Sequence, residues 1–453
     1  MGAGGISRGG DGVMATVSDV SVLRTADQRD AYLKGLVQIA QAAVPENLAL
    51  EEVRSRAASF LNEQTFPSTR QEDWRFTDLS AMLAIDFATT GEASVTEADI
   101  AELRLPETAG AQVVVVNGRV SRELSQLGSL PEGAVVGSLG DRPELQSQLA
   151  DRLAQASGNH EVFTALNTVG FTDAVVVWLP RNQVVETPIQ IIYVSQAQGD
   201  SLLVQPRCLV VAESGSALTL VEDYWGNSTA THFTNAVTEL WLDANAQITH
   251  SRIEREGTGT FHIGKTVVTQ ARDSQYIGVA AGFGAKLARH NWEIYQTGEQ
   301  TTTRIYGLGA ISATQHADTH SLVALSHPHG IVEQEHKAIV DGKAHSVFNG
   351  RMAVAQKAQL TNASQLNRNL LLSDQARIDT KPQLEIVADN VKCAHGATVS
   401  QLQSDEIFYL QSRGISAPQA QRLLIYAFAM EILDRIPVET LRSRLAEAIT
   451  QWP

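Results

Sequence analysis

The chain has 453 residues, of which 43% are apolar and 19% charged, and a formal net charge of −15. That length can bury a large core and allows several domains, while the acidic balance argues against a nucleic-acid binder held mainly by phosphate contacts. The two cysteines, Cys208 and Cys393, rule out a disulfide framework and fit a reducing compartment; no secretory leader and no run of the ~20 apolar residues that cross a bilayer is visible.

Residues 1–13 (MGAGGISRGGDGV) are rich in glycine and read as a disordered leader, with Met14 a candidate start of the folded part. The opening Met-Gly does not complete an acylation signal, because Ser7 falls one position late. A helical domain is expected over 14–109. Tyr32, Leu36, Ile39, Ala40 and Ala43 recur at helical spacing until Pro45, and a second helix from about Leu50 aligns Val53, Ala57, Phe60 and Leu61 before Pro67 stops it. Residues 69–78 (TRQEDWRFTD) then concentrate charge and aromatics. They read as a cap anchored by Trp74 and Phe76, with Arg70 and Arg75 meeting Glu72, Asp73 or Asp78; a small-molecule site is the competing reading. Residues 96–102 suggest one more short helix.

From 110 to 400 the pattern changes to short runs of Val, Ile, Leu and Thr divided by Gly, Asn, Asp and Ser, with short helical insertions near 141–169. Residues 174–179 (AVVVWL), 184–194, 217–221, 236–242 and 244–253 read as strands, because β-branched and aromatic side chains pack well on a pleated surface. A doubly wound sheet would need a helix after nearly every strand. The polar turns recur at roughly half the length of a solenoid coil, and a solenoid needs a cover at each end, which the helical flanks supply. A mainly β parallel β-helix is therefore favoured over a large sandwich.

Nucleotide chemistry has no visible site. No phosphate-cradling loop is present, and Gly282-Phe-Gly284 and Gly307-Leu-Gly309 read as turns or tight coil corners. C-x-x-C is absent too, so a complete cluster or zinc site would need ligands from another chain or from other residue types. Six of the twelve histidines fall between His316 and His345, namely His316, His320, His327, His329, His336 and His345. His327-Pro-His329 would place two imidazoles on one side if extended; surface or ladder histidines, a subunit interface and a metal site all remain open. Asn349, Asn362, Asn367 and Asn369 fit amides that hydrogen-bond from coil to coil in stacked turns. If residues 391–395 are extended, Cys393 and His395 share one face and Lys392 takes the other. A thiolate beside an imidazole is half of a soft-metal site; structural burial and other chemistry are the alternatives.

After Ser400 helices return. Residues 405–413 carry Ile407, Phe408 and Leu410, with Gly414 placed to end the turn, and Ser416 with Gln419 makes a capping box. The next run, 420–432, is apolar beyond the needs of one core-facing stripe, so it is either buried on several sides or docks a partner. Pro437 precedes a last amphipathic helix, and 401–453 is read as a C-terminal helical domain.

Four segments carry a resemblance: 71–78 (QEDWRFTD), 378–386 (IDTKPQLEI), 389–398 (DNVKCAHGAT) and 408–415 (FYLQSRGI). They are similar to those of the SufB/SufD family, and the resemblance runs from about residue 19 to 450. It implies a right-handed parallel β-helix flanked by N- and C-terminal helical domains, acting as a non-catalytic scaffold in the SUF system of iron-sulfur cluster assembly with a SufB-like scaffold and a SufC-like ATPase as partners. By the same resemblance His395 faces a cysteine of the partner scaffold where the nascent cluster forms, with Cys393 close beside it. No cofactor is expected on the isolated chain and a transient cluster in the complex. The paucity of cysteines favours the SufD branch, with a SufB-like scaffold as the alternative. The ATPase contact is expected on the C-terminal helices, at Phe408, Tyr409, Arg413, Tyr426, Phe428 and Met430. Localisation in the cytoplasm or plastid stroma, and a homodimer when isolated, complete the expectation. A β-helical carbohydrate-active enzyme would instead need paired carboxylates in a cleft, and a purely structural homodimer is the third reading.

Overall fold

The β-branched runs fold into strands that alternate between two facing sheets in a computed structural model, which describes residues 25–451 apart from 47, 49, 90–92, 129, 159, 198, 200 and 227–230. The leader expected at 1–13 lies outside the described residues. Helices α1 (Ala26–Ala42), α2 (Glu51–Leu61), α3 (Ser80–Leu83) and α4 (Glu97–Ile100) precede the sheets, and α5 (Pro143–Gln148) and α6 (Val162–Gly170) interrupt their start. The first strands are β1 (Ala88–Thr89), β2 (Ala111–Val116), β3 (Arg119–Leu127) and β4 (Val135–Ser138), followed by β5 (Val175–Leu179), β6 (Ile189–Ser195), β7 (Leu202–Val204) and β8 (Arg207–Ala212). The regular coils comprise β9 (Ala217–Gly226), β10 (His232–Leu242), β11 (Gln247–Arg255), β12 (Phe261–Gln270), β13 (Gln275–Gly282), β14 (Leu287–Gln296) and β15 (Thr302–Ile311). They continue through β16 (His316–Leu325), β17 (Ile331–Val340), β18 (His345–Val354), β19 (Asn362–Leu371), β20 (Arg377–Ile386) and β21 (Lys392–Gln401). Helices α7 (Ser404–Ser412), α8 (Ala417–Leu433) and α9 (Glu439–Thr450) close the chain.

One sheet runs β20-β18-β16-β14-β12-β10-β8-β5-β4 and the other β21-β19-β17-β15-β13-β11-β9-β6-β2-β3. Each regular strand thus pairs in parallel with the strand two steps away in sequence, which is the connectivity of a parallel β-helix with two strands per coil. Antiparallel pairing is confined to the beginning, at β2 with β3 and β4 with β5.

Stacking in register turns every second residue into a column along the lumen. Leu240, Val268, Ile294, Val323, Met352 and Leu384 form one such column. Burying each of these side chains is worth about 1.5–3 kcal/mol relative to exposure, and repeated coil after coil it supplies the core that no single coil could make.

Glycines inside the strands make room for large rings rather than turning the chain. A Cβ on Gly278 would fall 2.2 Å from Trp292 Cζ2, and one on Gly307 would fall 2.1 Å from His336 Nδ1. The expectation that Gly307-Leu-Gly309 marks a corner is thereby corrected: both glycines lie within β15. Gly284 does lie between strands, where a Cβ would meet Glu256 O at 2.1 Å.

The helical flanks, expected to cover the two ends of the stack, instead cover its outer faces, and the end at β20 and β21 is left open. Helix α1 is buried through Leu33, Leu36 and Ala40, while Tyr32 and Ile39 are half-buried. Together with α6 it packs over Phe66, Trp74, Phe233 and Phe261. Trp74 lies under the Arg289 guanidinium at 3.8 Å and packs tilted against Phe163 at 5.2 Å, so the polar segment around it is an anchored cap. Its charges pair differently from expectation: Glu72 meets Lys381 of β20, and Asp78 accepts from Ser80 N and Oγ. On the other sheet α8 lays Ile425, Ala429 and Ile432 over Ile253, Val279, Tyr306 and Ile339. The buried Lys337 ammonium ties the helix down, bonding Glu431 at 2.6 Å and Phe428 O at 3.1 Å.

Candidate functional site at the open end of the coils

Strands β20 and β21 are each paired on one side only, so both sheets finish on an unpaired edge among the described residues. Apolar side chains are left in solvent there: Val387 is 61% exposed, and Ile386 and Val399 are exposed as well. Free backbone donors and acceptors beside apolar side chains are a template for another chain.

Cys393 and His395 belong to this end. In register, Cys393 continues the inward column Ile248, Tyr276, Thr303, Val332 and Ala363, and His395 continues His250, Gly278, Ile305, Gln334 and Gln365. Both are therefore lumen-side positions that no further coil covers. The Cys393 side chain still packs against the lumenal core and is half-buried, and burial pushes its thiol up despite an opposing backbone hydrogen bond from Ala363. His395 is exposed, next to the buried Gln365 in the pairing. Lys392 is exposed on the opposite face of the strand. Among the described residues no third metal-ligating group converges on this pair.

The six positions expected to meet an ATPase divide in two. Phe408 is 71% exposed on α7, a helix with no buried residue, and Tyr409 is exposed with Arg413 stacked over its ring at 5.2 Å. Tyr426 lies exposed on α8 beside Leu423. Phe428 and Met430 are half-buried against the sheet, with the Lys337 ammonium 4.4 Å from the Phe428 ring. The apolar excess of α8 is thus not consumed by burial.

The histidines between His316 and His345 scatter. His316 and His345 become neighbours, their rings 4.8 Å apart, because one coil separates them in sequence. His316 bonds Thr77 Oγ1 at 2.9 Å, His320 meets Asp318 at 3.1 Å and His345 meets Asp379 at 2.7 Å. His327-Pro-His329 is a turn rather than an extended segment, with His329 at φ 63°. Of the asparagines, Asn367 donates to His336 O and Asn369 to Thr398 O, at 3.1 and 3.0 Å, from within a strand rather than from stacked turns.

Sequence reading missed the polar interior. Glu222 accepts from Tyr193 and Thr238 and meets His250, all within 3.1 Å. A coil further on, Glu256 is bonded by His232 at 3.1 Å, Thr234 at 2.7 Å and His262 at 2.6 Å. Burial works to raise the Glu256 carboxyl, but the surrounding imidazoles outweigh it and hold it below the usual carboxylate range. Its neighbour Glu254 is pushed up to about 8 by burial and by the Glu256 charge. Of these carboxylates Glu254 borders a lumenal space of only about 70 Å³, far below the ~300 Å³ of the smallest ordinary ligand pockets. No sugar chain fits there.

A two-sheet parallel β-helix between helical flanks, open at one end and with Glu222, Glu254 and Glu256 enclosed, belongs to the class of β-helical scaffolds. Residues 30–191 match the SufBD protein N-terminal region and residues 193–428 match the SufBD core domain of SUF system FeS cluster assembly. A SufBD family iron-sulfur cluster assembly protein of Synechocystis is 43% identical over 430 residues, covering 93% of this chain and 95% of the relative. The chloroplastic protein ABCI7 of Arabidopsis thaliana is 33% identical, covering 95% of this chain and 90% of its own. SufD of Escherichia coli is 32% identical over 85% of this chain and 89% of its own. The chain belongs to the SufB/SufD family, a non-enzymatic scaffold family of iron-sulfur cluster assembly. No helix among the described residues is long and apolar enough to cross a membrane.

Proposed function

We propose that the chain is a SufD-type subunit whose open end pairs with the β-helix of a SufB-like scaffold, and that the nascent iron-sulfur cluster forms across that junction. The observation that carries this reading is the placement of Cys393 and His395 on lumen-side positions of a terminal strand whose outer edge is unpaired. A thiolate and an imidazole supply a partial ligand set for iron, and the partner's residues complete it. Two free cysteines in the whole chain favour the SufD-type over the SufB-type role and suit a reducing compartment, the cytoplasm or plastid stroma. The exposed aromatic surface of α7 and α8, with Phe408, Tyr409, Arg413 and Tyr426, is the docking face for a SufC-like ATPase, and Phe428 and Met430 support it from beneath. Since α8 is tied to β17 through Lys337 and Glu431, a pull on that helix by the ATPase is transmitted to the coils.

Anaerobic reconstitution of the chain co-expressed with SufB-like and SufC-like partners, followed by absorption, tests this. The His395→Ala variant is expected to assemble the complex but to lose the cluster absorption. An unchanged spectrum would remove His395 from the site and leave the chain an architectural subunit. The same free edges also suit a second copy of the chain, so a homodimer is expected in the absence of the SufB-like partner, displaced when that partner is added.

A further inference from the structure

One coil below His395, strand β19 turns three amide side chains into the lumen, Gln365, Asn367 and Asn369, all of them buried. Two of these are used up. Asn367 Oδ1 accepts from Thr380 Oγ1 at 2.8 Å and from Asn369 Nδ2 at 2.6 Å, and Asn369 also reaches up to the last strand, donating to Thr398 O at 3.0 Å. Gln365 differs. Its Nε2 donates away from the open end, to Gln334 Oε1 at 3.0 Å, and Gln334 Nε2 in turn donates to Ser321 Oγ at 2.6 Å, yet Gln365 Oε1 is buried without a hydrogen-bond partner.

The fold makes room for this amide. A Cβ on Gly350, across the lumen in β18, would fall 2.3 Å from Gln365 Nε2. Gln334, Gln365 and His395 follow one another in register on β17, β19 and β21, all on the lumen side. Adjacent strands lie about 4.8 Å apart, a gap that an amide and an imidazole stacked in one column can bridge with a hydrogen bond. Each amide of this ladder gives its N–H to the residue before it, so its carbonyl oxygen is left for the residue after it. For Gln365 that residue is His395. A buried acceptor left unbonded is costly, and a ring N–H is the donor that the column offers it.

A neutral imidazole has one N–H and one lone pair. When it binds a metal through the lone pair, the N–H on the other nitrogen is generally held by an oxygen acceptor, which fixes the tautomer and the direction of the ring. We propose that Gln365 is a positioning residue for His395: its Oε1 accepts the His395 ring N–H, so that the other ring nitrogen is presented unprotonated at the junction with the partner scaffold. This rests on the reading of His395 as a cluster ligand, and adds that Ser321, Gln334 and Gln365 set the ring before iron arrives. The bond belongs to the complex, in which the partner's coils confine over the lumen a ring that is exposed in the isolated chain.

The test is magic-angle-spinning NMR of the full chain, ¹⁵N-labelled on histidine, in complex with unlabelled SufB-like and SufC-like partners before iron is added, at a pH of about 8.5, where imidazoles are neutral. The His395 signals are those lost in His395→Ala. A single tautomer is expected. Gln365→Leu is expected to return the ring to a mixture of both tautomers and to lower the cluster yield on reconstitution about tenfold, as when an outer partner of a metal ligand is removed. Gln365→Glu keeps an acceptor oxygen and is expected to retain the single tautomer. Gly350→Ala alters neither residue but pushes the amide aside, and is expected to behave as Gln365→Leu. Equal tautomer populations in the wild type, Gln365→Leu and Gly350→Ala would overturn the positioning role, even where His395→Ala abolishes the cluster. Retention of the cluster by His395→Ala would instead overturn the reading of the site, and the tautomer comparison would then decide by itself whether Gln365 holds the ring. Gly350→Ala keeps that comparison decisive even if Gln365→Leu does not fold.

Discussion

His336 occupies the space that Gly307 leaves in the neighbouring strand, and burial pushes its imidazole down to about 3. His316, half-buried beside Thr77, is pushed down to about 4 by burial, against the opposing charge of Asp318. In the unfolded chain both protonate near 6.5. Between that value and their folded values the unfolded state binds more protons, so stability falls as the pH drops through this window, by roughly 1.4 kcal/mol per pH unit for each group. Above pH ~6.5 these two groups contribute no dependence. Urea unfolding at a series of pH values is expected to give a midpoint that declines below that point and a shallower decline for His336→Gln; equal slopes for both proteins would contradict the assignment. Such residues were partly legible beforehand. Cys393 and His395 share a face because a strand repeats every second residue, a rule that needs nothing beyond the local sequence. Glu254 and His262 lie on consecutive strands of facing sheets and meet because the turn between β11 and β12 folds one across the lumen from the other, a geometry that the two-residue period of a strand does not encode.

Among the elements, α8 was legible as a helix from its capping box and apolar run, and its excess of apolar residues raised burial on several sides or a partner contact, of which the structure shows burial on one face only. Ile425, Ala429 and Ile432 face the sheet, and Leu423 and Tyr426 do not. Phe408→Asp with Tyr426→Asp is therefore expected to change unfolding stability by no more than about 0.5 kcal/mol each, as for surface positions, while abolishing co-purification with a SufC-like ATPase. Retention of the ATPase by the doubly substituted chain would move the docking face elsewhere. Strands were legible by their β-branched composition. The glycines of β13 and β15 were not, because the same residue serves a turn, a ring or an empty space, and only the neighbour on the adjacent strand or across the lumen distinguishes them.

For the whole molecule, the spacing of turns in a long strand region pointed to a stack of coils, although the helices that flank it in sequence cover its outer faces rather than its two ends. What composition could not convey is that the stack is covered unequally. Outer-strand amides of β20 and β21 lack partners, whereas those of β12 and β14 are bonded on both sides. Hydrogen exchange is expected to be fastest at the last coil in the isolated chain and to slow there, and not at β12 or β14, when a SufB-like partner is added; uniform protection without the partner would refute an open end. At the opposite end the sheets finish differently. Strand β3 bears Arg119, Arg122 and Glu123, and β4 is short with Gly137 at φ 145°, features that blunt an edge against further pairing. A body with one adhesive end and one blunt end is capped after a single joining event: two such bodies meeting end to end make a finite pair with no adhesive end remaining, and a fibre cannot grow from it.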